Sequence, residues 1–296
     1  MTTPPPAPFI VGVARSGTTL LRFMLDCHPQ LAIPAETHFI TLLSQADPAG
    51  ASLHIDDFLL QLTSCFTWAD FGLSRDALAR ELANLTPFTV ADGVRVFYRL
   101  CASARGKTRW GDKTPTYVEH IAAIDGFLPE AHFIHIIRDG RAVAASRRHL
   151  SFGPGPDIGD QARDWGRKIR AARKQATFCR HYMEIRYEDL VRNPEVALRN
   201  VCAEIKLDYD PSMLDYPAAA ETRLREFRDW RFPSGETTLS GDYRRSIHQR
   251  TLSPLSPNRI DHWRTVLESR EVATFEAVEG DLLVELGYAL ETRERT

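Results

Sequence analysis

Long hydrophobic runs are missing from this chain. Its apolar stretches, FIVGVA and FIHII among the longest, fall far short of the ~18 residues that a membrane-spanning helix needs, so no bilayer span is expected. An excess of charge of one sign is missing too. Lys plus Arg number 37 against 39 Asp plus Glu, a net charge of −2; this excludes a general affinity for nucleic acid or anionic membrane and confines any anion site to a local cluster. Cysteine is scarce and unpatterned. Cys27, Cys65, Cys101, Cys179 and Cys202 are odd in number, widely spaced and without a CxxC pair, so neither a disulfide framework nor a cysteine-bound metal is expected. The 10 histidines lack HxxxH and HExxH spacing, and no metal is expected from them. No internal repeat with a period of roughly 20 to 50 residues is present, which sets solenoids and arrays aside. The opening MTTPPPAP has neither the basic nor the apolar part of a secretory leader. A flexible proline-rich segment over residues 1–8 and a reducing, cytoplasmic setting are expected.

What is present is the composition of a globular protein: 296 residues, 43% hydrophobic and 26% charged, enough for one packed domain over residues 9–296. The apolar run at 9–13 ends in a glycine-containing turn, and Leu20, Leu21, Met24 and Leu25 have helical spacing within 18–27. The chain therefore opens as strand, loop, helix. A short strand over 31–33 and a helix over 37–45, with Thr37 as candidate cap, place Glu36 at a strand-to-helix junction. Periodic Leu, Phe and Val over 56–66, 74–85 and 89–104 predict a helical insertion, about 47–105. Beyond it come residues 109–113, a helix from Pro115, and strands over 131–137 and 181–186 separated by helices over 140–149 and up to about 180. Residues 217–262, Arg-rich and punctuated by Pro233, Gly235, Gly241, Pro254 and Pro257, predict a mobile or substrate loop. A helix over 262–286 closes the pattern. The alternation predicts an α/β fold, a P-loop-type parallel sheet flanked by helices, with ligand bound beyond the carboxyl ends of the strands.

The clearest chemical signal is Gly12-Val13-Ala14-Arg15-Ser16-Gly17-Thr18-Thr19 between a predicted strand and a predicted helix. Such a loop turns its amides towards an anion held on the positive end of the helix. Compared with GxxxxGK[ST], Thr18 stands where a lysine would bridge β- and γ-phosphates, and Arg15 lies inside the loop. A triphosphate donor is disfavoured. In Arg138-Asp139-Gly140-Arg141, Arg138 follows a strand and Ser146 lies two helical turns on, so both can address one phosphate. The competing role for Arg138 or Arg141 is an ion pair with Asp139.

Together these residues resemble the sulfotransferases that use 3′-phosphoadenosine 5′-phosphosulfate (PAPS), in particular bacterial-type members and the tyrosylprotein and heparan-type branches. Arg15, Ser16, Gly17, Thr18 and Thr19 resemble that family's 5′-phosphosulfate loop; Arg138 and Ser146 resemble its 3′-phosphate site, at the family's separation. Tyr187, opening Tyr187-Glu188-Asp189-Leu190, is similar to a tyrosine near the nucleotide in bacterial members. In the tyrosylprotein branch a glutamate follows the loop arginine by 21 residues, which here identifies Glu36 as the implied base. Lys113, in Gly111-Asp112-Lys113-Thr114-Pro115, resembles the catalytic lysine that neutralises the departing oxygen, with Arg15 sharing the task and Asp112 expected only to hold Lys113. Arg250 falls near a donor-contacting lysine of the tyrosylprotein branch, whereas Arg244 and Arg245 read as an exposed basic loop.

The resemblance implies sulfuryl transfer from PAPS to a hydroxyl on a small molecule, glycan, lipid or tyrosine, with adenosine 3′,5′-bisphosphate as product and no metal. Two residues from Glu36, His38 is the rival base, because imidazole titrates near neutrality. A helix-start role for Glu36 and a solvated turn for Lys113 compete with the catalytic ones. The other functional classes are a kinase-like phosphotransferase on the same loop and a nucleotide-binding module without chemistry. The first lacks a clear Mg²⁺-binding acid after a buried strand.

Overall fold

The computed structural model describes residues 4–46, 53–231 and 237–292. The start of the expected tail at 1–3, the entry to the insertion at 47–52, and Pro233 and Gly235 lie outside the described residues. In chain order the elements are β1 (Ala7–Val11), α1 (Thr18–Asp26), β2 (Leu31–Ala32), α2 (Phe39–Ala46), α3 (Ile55–Thr63), α4 (Arg75–Leu82) and α5 (Val90–Ser103). They continue with β3 (Arg109–Trp110), β4 (Asp112–Lys113), α6 (Ile121–Phe127), β5 (Ala131–Ile137), α7 (Gly140–Arg147), α8 (Ile158–Ala176) and β6 (Tyr182–Arg186). Then follow α9 (Tyr187–Arg192), α10 (Pro194–Glu204), α11 (Tyr216–Leu224), β7 (Trp230–Arg231), β8 (Thr237–Leu239), α12 (Gly241–Ser246), α13 (Trp263–Val266) and α14 (Ser269–Glu285).

The main sheet has the order β4-β1-β5-β6, and every pair in it is parallel. Its two central strands are buried along their whole length, as expected where helices cover both faces. Alternation in β1 divides the core: Phe9 and Val11 pack with Phe39, Phe97 and Phe133, while Ile10 packs with Leu21, Met24, Ile134 and Ile136. Each such side chain, fully buried, contributes roughly 1.5–3 kcal/mol. The helices α3, α4 and α5 supply Phe58, Leu62, Leu78, Leu82, Val94 and Phe97 to the first face, so the insertion is part of the core.

Several boundaries depart from the sequence pattern for local reasons. β1 begins at Ala7, because the Ala7 amide donates to the Glu130 carbonyl and carries Pro8 into the sheet. Pro115 opens a short 3₁₀ segment (Pro115–Glu119) before α6. Thr37 is not a helix cap, since its hydroxyl is spent on Asp112. The closing helix is broken between α13 and α14, where Glu268 and Glu271 form a capping box that starts a new helix. The segment at 217–262 is built as α11, the antiparallel β7–β8 pair, α12 and two 3₁₀ turns, Gln249–Leu252 and Pro257–Arg259; the described part is a cleft wall, not an open loop. No helix among the described residues is long and apolar enough to cross a membrane.

Candidate active site

The loop after β1 is shaped by backbone constraints. At Gly17, φ is 101°, and a Cβ there would lie 2.5 Å from the Tyr187 ring; at Gly12 it would lie 2.6 Å from the Ile136 carbonyl oxygen. Arg15 adopts φ 78°, a left-handed conformation that side chains rarely take. Gly17 precedes α1 with no side-chain cap on the helix, so the first-turn amides of Thr18, Thr19 and Leu20 remain for a ligand. Ser16 Oγ is buried without a hydrogen-bond partner among the described residues. An orphaned hydroxyl beside free amides fits a phosphate or sulfate group.

Cations converge on the same place. Burial, then Arg138, Arg250 and Arg147, push the Arg15 guanidinium down to about 10. Arg138 donates to the Arg15 carbonyl at 3.1 Å, lies 4.4 Å over the Tyr187 ring and leaves its buried Nε unpaired. Arg15 donates from Nε to Ser146 Oγ at 3.2 Å and from Nη2 to the Ile247 carbonyl at 2.9 Å. Arg15 therefore stands between Arg138 and Ser146, while all three line one cleft. The Asp139 ion pair belongs to Arg141 instead: Arg141 is buried, grips Asp139 and Glu276, and is scaffold. Arg250 lines the cleft as well. Arg244 does not belong to an exposed basic loop; it is buried against Asp70 at 2.7 Å. Arg245 is half-buried and donates to the Phe227 carbonyl.

In the same cleft Glu36 meets Lys113. Parallel pairing of β2 with β3 aligns Leu31 with Arg109 and Ala32 with Trp110, so the two chains run out of the strands side by side and deliver Glu36 to Lys113. Lys113 Nζ, fully buried, donates to Glu36 Oε1 at 2.5 Å and to Thr19 Oγ1 at 3.3 Å. Glu36 Oε2 meets His38 Nε2 at 3.0 Å. Burial opposes ionisation of Glu36, but Lys113 and His38 outweigh it and hold the carboxyl well below its ordinary range. Burial lowers Lys113, with Glu36 acting against that shift.

Asp112 does not hold Lys113. It sits in the wall behind, where Oδ2 accepts from Thr37 Oγ1 at 2.8 Å and Tyr98 OH at 2.9 Å. The Thr37 amide donates to Thr114 Oγ1 at 3.0 Å, so this network fixes the turn carrying Glu36 and His38. Burial pushes Asp112 up to about 6. A carboxyl whose folded value is raised stabilises the fold below its unfolded value of 3.8 and loses that contribution as pH rises through 6. Asp112→Asn is therefore expected to gain in melting temperature relative to the parent as pH rises from about 4 to about 6 and to hold that gain above it, read by scanning fluorimetry.

The cleft these residues share has a volume of about 570 Å³. Its lining includes Arg15, Gly17, Thr18, Thr19, Glu36, Arg138, Ser146, Tyr187 and Arg250 from the sequence reading. Ser16 and Lys113 are not part of this lining, and Lys113 reaches it through Glu36 and Thr19. Tyr216, Phe227, Trp230, His248 and Arg259 also line it and carried no motif. His248 is held well below its ordinary range by burial, then by Arg15 and Lys113, and so adds no positive charge at neutral pH.

The chain and its fold have relatives among known proteins. The chain is 27% identical to Nodulation protein NoeE of Sinorhizobium fredii over 95% of its length and 65% of that protein's. It is 26% identical to the Protein-tyrosine sulfotransferase of Drosophila melanogaster over 71% of its length and 40% of that protein's. It thus spans less than two thirds of either relative. Among solved structures, the sulfotransferase domain of the curacin biosynthetic pathway superposes with TM-score 0.59 at 17% identity, covering 98% of this chain and 100% of that one. The sulfotransferase domain of the Synechococcus olefin synthase gives 0.55 at 22%, covering 94% and 95%. Both share the parallel sheet flanked by helices. A profile described as the Sulfotransferase family matches residues 6–211, well over half of the sequence, and the chain belongs to that family.

Proposed function

We propose that the protein transfers the sulfuryl group of PAPS to an acceptor hydroxyl by in-line displacement, with Glu36 as general base. The observation that carries this reading is one cleft lined by Arg15, Arg138 and Arg250, which have no acidic partner among the described residues, and by Glu36, which is paired with Lys113. Arg15, Ser16, Gly17, Thr18 and Thr19 would hold the 5′-phosphosulfate. Arg138, Ser146, Tyr187 and Arg250 would hold the nucleotide and its 3′-phosphate. As the acceptor oxygen bonds to sulfur, its proton passes to the Glu36 carboxylate. The bond from sulfur to the bridging phosphate oxygen breaks, and the electron pair leaves on that oxygen. Lys113 neutralises the charge developing there, and adenosine 3′,5′-bisphosphate departs. No covalent enzyme intermediate is needed. When Lys113 turns to the bridging oxygen, Glu36 loses part of the attraction that depresses its basicity, so donor binding prepares the base.

The acceptor is a hydroxyl-bearing small molecule, glycan, lipid or tyrosine. The five cysteines, all free, support the cytoplasm as the compartment, and residues 9–296 would form one catalytic domain. Thr18 in place of the bridging lysine speaks against ATP as donor. Calorimetric titration tests the donor directly. Adenosine 3′,5′-bisphosphate is expected to bind and ATP not to, and Arg138→Ala should weaken the bisphosphate by about 1.5–3 kcal/mol, the worth of a hydrogen bond to a charged group. Preference for ATP would return the kinase reading.

A further inference from the structure

Asp70 lies at the end of a 3₁₀ turn (Trp68–Asp70) in the helical insertion, and its side chain is 1% exposed. A buried carboxylate is costly unless its lone pairs are filled, and here a distant part of the chain fills them. Arg244 donates to it twice, from Nη1 at 2.9 Å and Nη2 at 2.7 Å. The Arg228 amide donates at 2.8 Å and Trp230 Nε1 at 3.3 Å. One acid thus ties down α12, the approach to β7, and the Trp230 ring. The Arg244 guanidinium lies 4.2 Å over Trp230 and 4.8 Å over Phe227, both residues of the cleft wall. Trp230 in turn packs edge-on against His38 at 5.4 Å and Phe66 at 4.9 Å. His38 is the residue hydrogen-bonded to Glu36.

We propose that Asp70 is a positioning residue for the acceptor: through Arg244 it holds Trp230 against His38 beside Glu36, so that one buried ion pair sets the acceptor wall and its distance from the base. The proposal rests on the sulfuryl-transfer reading of the cleft. Asp70 touches none of the groups assigned to the donor. Its pair with Arg244 joins two segments that no strand pairing connects, which makes side-chain geometry the means of placement. A buried pair contributes little net stability but fixes orientation, and removal of one member leaves the other charge uncompensated.

The test uses the intact protein in the reverse direction, with p-nitrophenyl sulfate as probe and adenosine 3′,5′-bisphosphate as co-substrate, following p-nitrophenolate. Asp70→Asn is expected to raise KM for the probe about tenfold or more, with kcat and the bisphosphate Kd within about twofold of the parent. The double variant Asp70→Asn/Arg244→Gln, which restores a neutral hydrogen-bonded pair, should recover part of the KM. In protein labelled with 5-fluorotryptophan, the fluorine resonance of Trp230, assigned with Trp230→Phe, should shift or broaden in Asp70→Asn. An unchanged Trp230 resonance, or a loss confined to kcat or to bisphosphate affinity with KM unmoved, would overturn the proposal. Failure of the parent chain to bind the bisphosphate would instead strike the sulfuryl-transfer reading, and the fluorine spectra would still decide whether Asp70 places Trp230.

Discussion

Lys113→Ala is expected to lower kcat by roughly 100- to 1,000-fold, the usual consequence of removing one group that stabilises charge only in the transition state. Lys113 is fully buried and bonded to both Glu36 and Thr19, so no solvent cation can take its place. Thr19 belongs to the loop proposed to hold the phosphosulfate, so its bond to Lys113 would put the ammonium between base and leaving group. The variant should also change the pH profile, with a sign that follows from the present pair. Lys113 and His38 hold Glu36 well below the carboxylate range, so the basic form persists through neutral and mildly acidic pH. With Lys113 gone the carboxyl rises towards its ordinary value, and the acid limb of kcat/KM should move to higher pH. Steady-state rates across a pH series give both quantities. An unchanged acid limb together with an unchanged kcat would remove Lys113 from the reaction. The ion pair's contribution to stability should be complete above about pH 4.5 and disappear as pH falls through the depressed value of Glu36.

Glu36→Gln should lower kcat by roughly 100- to 10,000-fold, the range for loss of a positioned general base, while the bisphosphate Kd stays within about twofold because no donor contact is lost. Glutamine retains an oxygen for Lys113 but can neither accept the hydroxyl proton nor offset the ammonium. His38→Ala separates the two candidate bases. Since His38 bonds to Glu36 and stacks near Trp230 and Phe66, its loss should cost less than that of Glu36 if the carboxylate takes the proton. A larger fall in His38→Ala than in Glu36→Gln would transfer the role to the imidazole.

Much of the sheet was legible because its signals are local. The strand at 131–137 and the strand–loop–helix at 9–27 are written in apolar periodicity and glycine, and the structure places β5, β1 and α1 there. The pairing of Glu36 with Lys113 was not legible from residue types. It arises because β2 and β3 lie in parallel register, a contact between residues far apart in sequence. Asp112 illustrates the opposite case: its neighbour Lys113 made a local partner plausible, yet the structure directs it to Thr37 and Tyr98 on other elements. The wall at 217–262 escaped for a further reason. Its elements are short and are held by side-chain contacts such as Arg244 to Asp70 and Arg15 to the Ile247 carbonyl, which leave no hydrophobic period to read.

The most direct measurement is a transfer assay in which PAPS, radiolabelled in its sulfuryl group, and ATP, radiolabelled in its γ-phosphate, are offered in parallel with a panel of phenolic, sugar and lipid hydroxyls. Label from PAPS is expected in an acceptor ester with the parent protein and in none with Glu36→Gln or Lys113→Ala on the same timescale. Label transferred from ATP instead, or equal ester formation by the two variants, would contradict sulfuryl transfer at the Glu36–Lys113 site.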